Sequence, residues 1–129
     1  SISQKAAKTA IDTDPSVSED LKRMNAAFLK RRDLVYKLLQ EVPGFKVYIP
    51  DGAFYFFPDI SALFGKSNGE ITITGASMLC DYILDHVYVA LVAGDGFGDS
   101  NCIRISYATS EEKLIEAIKR IKTLLADFK

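Results

Sequence analysis

Apolar residues recur at helical spacing in two long stretches of the chain, and this pattern predicts two amphipathic helices. The first stretch ends near Glu41, before "VPGF", and its apolar positions are Leu21, Met24, Phe28, Val35, Leu38 and Leu39. The second lies at the end of the chain, where the apolar positions are Leu114, Ile115, Ile118, Ile121, Leu124 and Leu125. Ser16 with Glu19, and Thr109 with Glu112, have the spacing of capping boxes, so they predict where these helices begin.

Two shorter helices are predicted as well. An alanine-rich segment, Ser3–Ile11, favours a helix that ends before Pro15, because proline disfavours a helical conformation in the residue before it. Thr74 is the predicted N-cap of another helix, with one apolar face formed by Met78, Leu79, Tyr82 and Ile83. The segment "PDISALFGKSNGE" between them predicts an irregular loop with one helical turn.

Four segments are rich in β-branched and aromatic residues and predict strands. "KVYI" and "AFYFF" flank "PDG", which favours a hairpin or a tight corner, and "VYVALVA" and "CIRISYA" flank a glycine-rich loop. The order is helix, helix, strand, strand, helix, strand, strand, helix. It predicts an α+β fold: a two-layer sandwich with a small, mainly antiparallel sheet, helices on one face, and a long connecting helix before it.

Composition and charge narrow the function classes. The chain has 129 residues and a formal net charge of −1, which favours one domain and argues against nucleic-acid or anionic-membrane binding. We therefore interpret the basic run at residues 30–32 as a solvated helix face. We expect no membrane span, a cytoplasmic location, and reduced, partly buried thiols at Cys80 and Cys102. The chain opens on "SISQKAAKTAI" without an initiator methionine, so we expect a piece of a longer protein.

The glycines of "AGDGFGD" form the first candidate binding feature. Gly94, Gly96 and Gly98 resemble a dinucleotide-binding loop, but that loop requires a helix after the glycines and here a predicted strand follows. We therefore reject the nucleotide interpretation. Two alternatives stay open: a turn that needs positive φ angles, or close approach of the backbone to a ligand.

Arg104 is the second candidate. In an alternating strand, Ile103, Ile105 and Tyr107 share the face that packs beneath the helices, and Arg104 lies on the other face beside small residues. A guanidinium with room above a sheet suits a carboxylate held by two parallel hydrogen bonds. From the pattern alone, a solvated or ion-paired arginine is the default interpretation.

Other reactive residues have simpler explanations. His86 follows a predicted helix without a partner acid or ligand, so we interpret it as a helix-end histidine near the negative end of the dipole. Lys66 lies in a loop with nothing nearby in sequence to lower its pKa, so we interpret it as a solvated lysine. The aromatic run Phe54–Phe57 is predicted to fill both faces of a strand, and part of it could line a pocket. We find no catalytic, metal-binding or cofactor-binding cluster.

Several of these segments together are typical of one family. "PDGAFYFFPDIS", "VALVAGDGFG", "CIRISYATSEEKLIEAIKRI" and the opening "SISQKAA" resemble the C-terminal part of bacterial aspartate aminotransferases, within the class I/II, fold-type I enzymes that depend on pyridoxal phosphate. The resemblance implies one domain over 1–129, in which 1–42 holds the N-terminal helices with the long connector and 43–129 is the α+β small domain. It also implies that Arg104 binds the substrate α-carboxylate and that Phe54 lines the substrate pocket. Gly52, which has no side chain, would permit this close approach to the substrate. Ala93 departs from the proline common at its position.

The resemblance further implies what this chain lacks. The cofactor lysine of the family lies in an "SK" motif followed by a glycine–arginine segment, and neither is present, so the pyridoxal phosphate residues belong to a separate large domain. The implied partners are amino-acid and 2-oxo-acid substrates, that large domain, and a second subunit in a homodimer. The implied reaction is amino transfer between L-aspartate and 2-oxoglutarate, with the chain inactive alone. The alternatives are aromatic, alanine or kynurenine specificity, or a non-catalytic module that binds small carboxylates.

Overall fold

A computed structural model describes all residues from Ser1 to Lys129. Its elements are the helices α1 (Ile2–Asp12), α2 (Glu19–Gln40), α3 (Ala76–Val87) and α4 (Glu111–Leu125), and the strands β1 (Tyr55–Phe56), β2 (Val92–Ala93) and β3 (Ile103–Ser106). Short 3₁₀ turns cover Pro15–Val17, Ser61–Leu63 and Gly94–Phe97. The predicted α+β class, the four helices and the helical turn in the loop after β1 are thereby confirmed.

The sheet has three antiparallel strands in the order β1-β3-β2. Tyr55 pairs with Ser106, and Val92 pairs with Arg104, so β3 is the central strand. The hairpin or tight corner predicted across "PDG" forms only in part. In "KVYI" only Lys46 pairs, in an antiparallel bridge with Asp59 beyond "AFYFF", and residues 51–54 form a bend.

The strand predicted over "VYVALVA" is also much shorter than expected. Helix α3 extends through Val87, and Tyr88 then adopts a left-handed conformation with φ 57° that ends the helix. Residues 88–91 form no strand, and only Val92 and Ala93 pair with β3. The apolar run "VYVALVA" could continue a helix or form a strand, and its first residue, Val87, belongs to the last turn of α3.

One hydrophobic core lies between the sheet and the helices. The predicted alternation in β3 is confirmed, because Ile103, Ile105 and Tyr107 are buried while Arg104 is half-buried on the other face. Phe56 of β1 is fully buried beside them. The connecting segments contribute Val42, Ile60, Leu63, Ile73 and Phe128. The helices contribute further large core side chains: Val35, Leu39, Leu79, Ile83, Leu114, Ile118, Ile121 and Leu125.

The predicted apolar stripes are only partly buried. Leu21 and Met24 of α2, and Ile115 of α4, are among the exposed large hydrophobic residues, and α1 buries none of its residues. The N-terminal part of the chain therefore extends beyond the core formed by its own later elements. None of the helices combines the length and the apolar character that crossing a bilayer requires.

The helix N-caps differ from the predicted ones. Ser18 caps α2 rather than Ser16, because Pro15 starts a 3₁₀ turn that occupies residues 15–17 first. Gly75 precedes α3, so Thr74 does not cap it. Ser110 caps α4 in place of Thr109, and its hydroxyl accepts a hydrogen bond from the backbone N–H of Lys113.

This cap of α4 leads to a stability prediction. Replacing Ser110 with alanine should lower the free energy of unfolding by about 1 kcal/mol, because it removes the acceptor for an N-terminal N–H of α4. The matched change at the neighbouring hydroxyl, Thr109→Ala, should cost clearly less. Urea unfolding of both variants measures the difference. Equal losses from the two changes would contradict the cap assignment.

Candidate functional site

Arg104 lies at the centre of β3, on the sheet face away from the helices. Its direct cross-strand partner on β2 is Val92, and the next residue on its own face of β3 is the small Ser106. Ser106 pairs with Tyr55 on β1, so the ring of Tyr55 lies diagonally across from Arg104. This register leaves space for the guanidinium to lie over β1.

Two aromatic rings hold the Arg104 guanidinium. Its central carbon lies 4.6 Å from the centre of the Tyr55 ring and 4.3 Å from the centre of the Phe97 ring. The two rings pack on other neighbours, Tyr55 on Phe54 and Phe97 on Phe57. We define these four residues, Arg104 with Tyr55, Phe97 and Phe57, as the Arg104 cluster.

The charge of Arg104 has no acidic partner in the chain. All ion pairs in the structure involve other cations, and the arginine side chains that donate hydrogen bonds are those of Arg23, Arg32 and Arg120. Aromatic rings attract a guanidinium through its flat faces, whereas its N–H groups point outward in its plane. The cluster therefore orients the five donors of Arg104 without using them, as a site for a carboxylate requires.

The glycine-rich loop positions Phe97 above Arg104. Gly94 is buried, and a Cβ at this position would lie 2.6 Å from the carbonyl oxygen of Cys102 and would also overlap that of Asp99. Its N–H donates to the Cys102 carbonyl at 2.8 Å, and its carbonyl accepts from the Asp99 N–H at 3.2 Å. Gly98 ends the turn with φ 89°. After this four-residue 3₁₀ turn the next element is the strand β3, whereas a dinucleotide-binding loop requires a helix at that point.

Phe54 packs against Tyr55 and is not one of the two rings over Arg104. The Phe54 carbonyl accepts from the Tyr107 N–H, and its ring stacks on Phe28 of α2 with centres 6.0 Å apart. Phe54 is 41% exposed and can still contact a ligand, so its pocket role stays a prediction. Gly52 lies in an exposed bend, where nothing in the chain approaches its Cβ position within 4 Å.

Sequence reasoning missed Tyr55 and Phe97 as parts of the site. Alternation in "AFYFF" already put Tyr55 on the face opposite to Phe56, so a correct pairing of β1 with β3 would have found it. Phe97 matches the glycine–phenylalanine loop of the family that the sequence resembles, but the pattern did not predict its contact with Arg104, because that contact depends on how the 3₁₀ turn folds back over the sheet.

The other reactive side chains lie in structural surroundings. His86 is in the last turn of α3, where its Nδ1 lies 2.9 Å from the Tyr82 carbonyl oxygen. Burial raises the pKa of both the Cys80 and the Cys102 thiol to about 11, with further contributions from nearby aspartates, so both stay protonated at neutral pH. Both are free, as predicted. No group of three His, Cys, Asp or Glu side chains has the arrangement of a metal site.

A cavity of about 530 Å³ lies elsewhere, between residues 88–91 and α4. Its lining is mainly apolar, including Val89, Leu91 and Ile105. Its arginine, Arg120, already donates to Glu116 at 2.8 Å and to the Val87 carbonyl. We therefore place the candidate carboxylate site at the Arg104 cluster, where the cation has no acidic partner.

Comparisons with known proteins identify relatives along almost the whole chain. Residues 1–121 match the sequence profile described as aminotransferase class I and II. A bifunctional aspartate aminotransferase and glutamate/aspartate-prephenate aminotransferase of Petunia hybrida is 45% identical over 130 residues, and an aspartate aminotransferase of Pinus pinaster is 43% identical over 126 residues. These matches cover 100% and 97% of this chain but only 27% and 26% of the relatives, so the chain spans about a quarter of their length.

Solved structures show the same fold. The aspartate aminotransferase of Rhizobium meliloti superposes with a TM-score of 0.88 and 36% identity, covering 99% of this chain and 32% of the other. The aromatic aminotransferase of Pyrococcus horikoshii superposes with a TM-score of 0.77 and 33% identity, covering 96% of this chain and 31% of the other.

Proposed function

Because this chain belongs to the class I and II aminotransferase family, we propose that it supplies the substrate carboxylate site of an aminotransferase. One observation carries this proposal: Arg104 is held by Tyr55 and Phe97 and has no acidic partner in the chain. Amino acids and 2-oxo acids each carry a carboxylate next to the reacting carbon, so one guanidinium can bind either substrate of such an enzyme. A carboxylate held by two parallel hydrogen bonds also has a fixed plane, which restricts the directions that the Cα–H bond can take.

The lysine that such a reaction requires is proposed to lie outside this chain. Enzymes of this family use pyridoxal phosphate, which supplies an electron sink for the bond broken at the substrate Cα. A lysine that binds this cofactor is activated by a desolvated or cationic environment. Lys66 is half-exposed and every other lysine here is exposed, so none fits that role. We propose that Arg104 positions the substrate toward a lysine in a separate large domain.

The exposed apolar residues support such a partner. Ile2 and Ile11 of α1 are 89% and 83% exposed, and Leu29 of α2 is 54% exposed, which is unfavourable in water. We propose that 1–42, with the long α2 connector, contacts the large domain and the second subunit of a homodimer, and that 43–129 forms the small domain.

For the substrates we propose L-aspartate and 2-oxoglutarate, because the Petunia, Pinus and Rhizobium relatives are described as aspartate aminotransferases. Aromatic specificity is the second candidate, since the Pyrococcus structure is described as an aromatic aminotransferase. Competition kinetics of the enzyme containing this chain, with L-aspartate against L-phenylalanine, separate the two.

The isolated chain is predicted to be inactive. Mixed with pyridoxal phosphate, L-aspartate and 2-oxoglutarate, it should produce no glutamate above the rate of a protein-free mixture, because no lysine is held in an activating environment. Measurable turnover would refute the proposal that the catalytic lysine lies outside this chain. Tight calorimetric binding of L-aspartate by the chain alone would instead favour a small-carboxylate-binding module.

A further inference from the structure

We propose that Phe97 and Tyr55 are positioning residues, whose rings hold the Arg104 guanidinium in the orientation that receives a carboxylate. This inference rests on the proposed function and adds two residues to it. Neither ring needs to touch the substrate. Both act through Arg104, whose guanidinium carbon lies over both rings.

The first step is the geometry of the two contacts. The guanidinium carbon lies 4.6 Å and 4.3 Å from the two ring centres, inside the range of about 6 Å over which a cation is attracted to an aromatic face. Tyr55 and Phe97 make their ring contacts with Phe54 and Phe57 rather than with each other. The two rings therefore approach the guanidinium from different directions, and together they restrict its tilt.

The second step is that both rings are themselves fixed. Tyr55 is part of β1 and pairs with Ser106. Phe97 ends the 3₁₀ turn that Gly94 and Gly98 anchor, and its ring meets Phe57 edge-on, with centres 6.2 Å apart and planes at 87°. Two elements far apart in sequence thus converge on one side chain.

The third step is energetic. Ordering a free arginine side chain on ligand binding costs conformational entropy, and an arginine held in advance loses less. An acidic partner could also order Arg104, but it would occupy the N–H groups and neutralise the charge. Aromatic rings order the side chain while they leave the charge and the in-plane donors for a substrate carboxylate.

The test uses the complete enzyme that contains this chain. Phe97→Leu keeps an apolar side chain but removes the ring, and the KM for L-aspartate should rise about tenfold, which corresponds to about 1.4 kcal/mol. Phe97→Tyr keeps the ring and should restore most of the affinity. Tyr48→Leu is the matched control, because this exposed ring also faces a cation, Lys46 at 5.4 Å, but lies outside the Arg104 cluster.

A double-mutant cycle separates positioning from general structural damage. In an Arg104→Ala background, Phe97→Leu should change the KM less than twofold, because the side chain on which the ring acts is gone. A tenfold effect in both backgrounds would overturn the inference, and so would an unchanged KM after Phe97→Leu in the native background. If Arg104→Ala itself has no effect, the proposed function fails. If only the Phe97 variants have none, the proposed function stands and this inference falls.

Discussion

Replacing Arg104 with alanine in the complete enzyme is expected to lower kcat/KM for the amino acid by about 30- to 1000-fold. Truncating one partner of a hydrogen-bonded charge pair costs about 2–4 kcal/mol, and each 1.36 kcal/mol is a factor of ten in rate. Because the guanidinium both binds and orients the carboxylate, KM should rise and kcat should fall together. Steady-state kinetics at several concentrations of L-aspartate measure both constants.

The matched control for this change is Arg104→Lys. Lysine retains the positive charge but has no planar fork, so it can neither hold a carboxylate by two parallel bonds nor lie flat between two rings. Its kcat/KM should therefore stay well below that of the native enzyme, although above that of the alanine variant. Native kinetics in the alanine variant would rule out the carboxylate role. Native kinetics in the lysine variant would show that charge alone is sufficient.

The helices and the central strand could be predicted because their signals are local. Alternation in "CIRISYA" places Ile103 and Ile105 in the core and Arg104 opposite them, as the structure shows. The caps were each missed by one or two residues, because serine and threonine stand close together and the 3₁₀ turn at Pro15 decides between Ser16 and Ser18.

Strand pairing was the part that local patterns could not decide. "KVYI" and "AFYFF" predicted a hairpin or a tight corner, but the ladder partner of β1 is β3, about fifty residues away. The same long-range pairing brings Tyr55 to Arg104, so the pairing of β1 and the site residue Tyr55 were missed for one reason. The candidate cation was visible in the sequence, whereas its aromatic neighbours depend on tertiary structure.

The second prediction with a large expected effect concerns Gly94 in the glycine-rich loop, where a substitution should lower stability. Gly94→Ala is expected to lower the free energy of unfolding by about 2–3 kcal/mol, because the new Cβ would overlap the carbonyl oxygens of Asp99 and Cys102. These are backbone atoms that take part in the hydrogen bonds of the loop, so they cannot move aside as a flexible side chain could. Relief of the overlap must shift the loop, and with it Phe97.

Gly96→Ala is the matched control, two residues away in the same turn. Nothing lies within 4 Å of its Cβ position and its φ is not positive, so the change should alter stability by less than about 0.5 kcal/mol. Urea unfolding and the KM for L-aspartate should both separate the two variants of the complete enzyme. Equal stability of the two would show that the loop tolerates a side chain at Gly94. A destabilised Gly94→Ala enzyme with a native KM would mean that the tight turn serves the fold alone, because the position of Phe97 would then not depend on it.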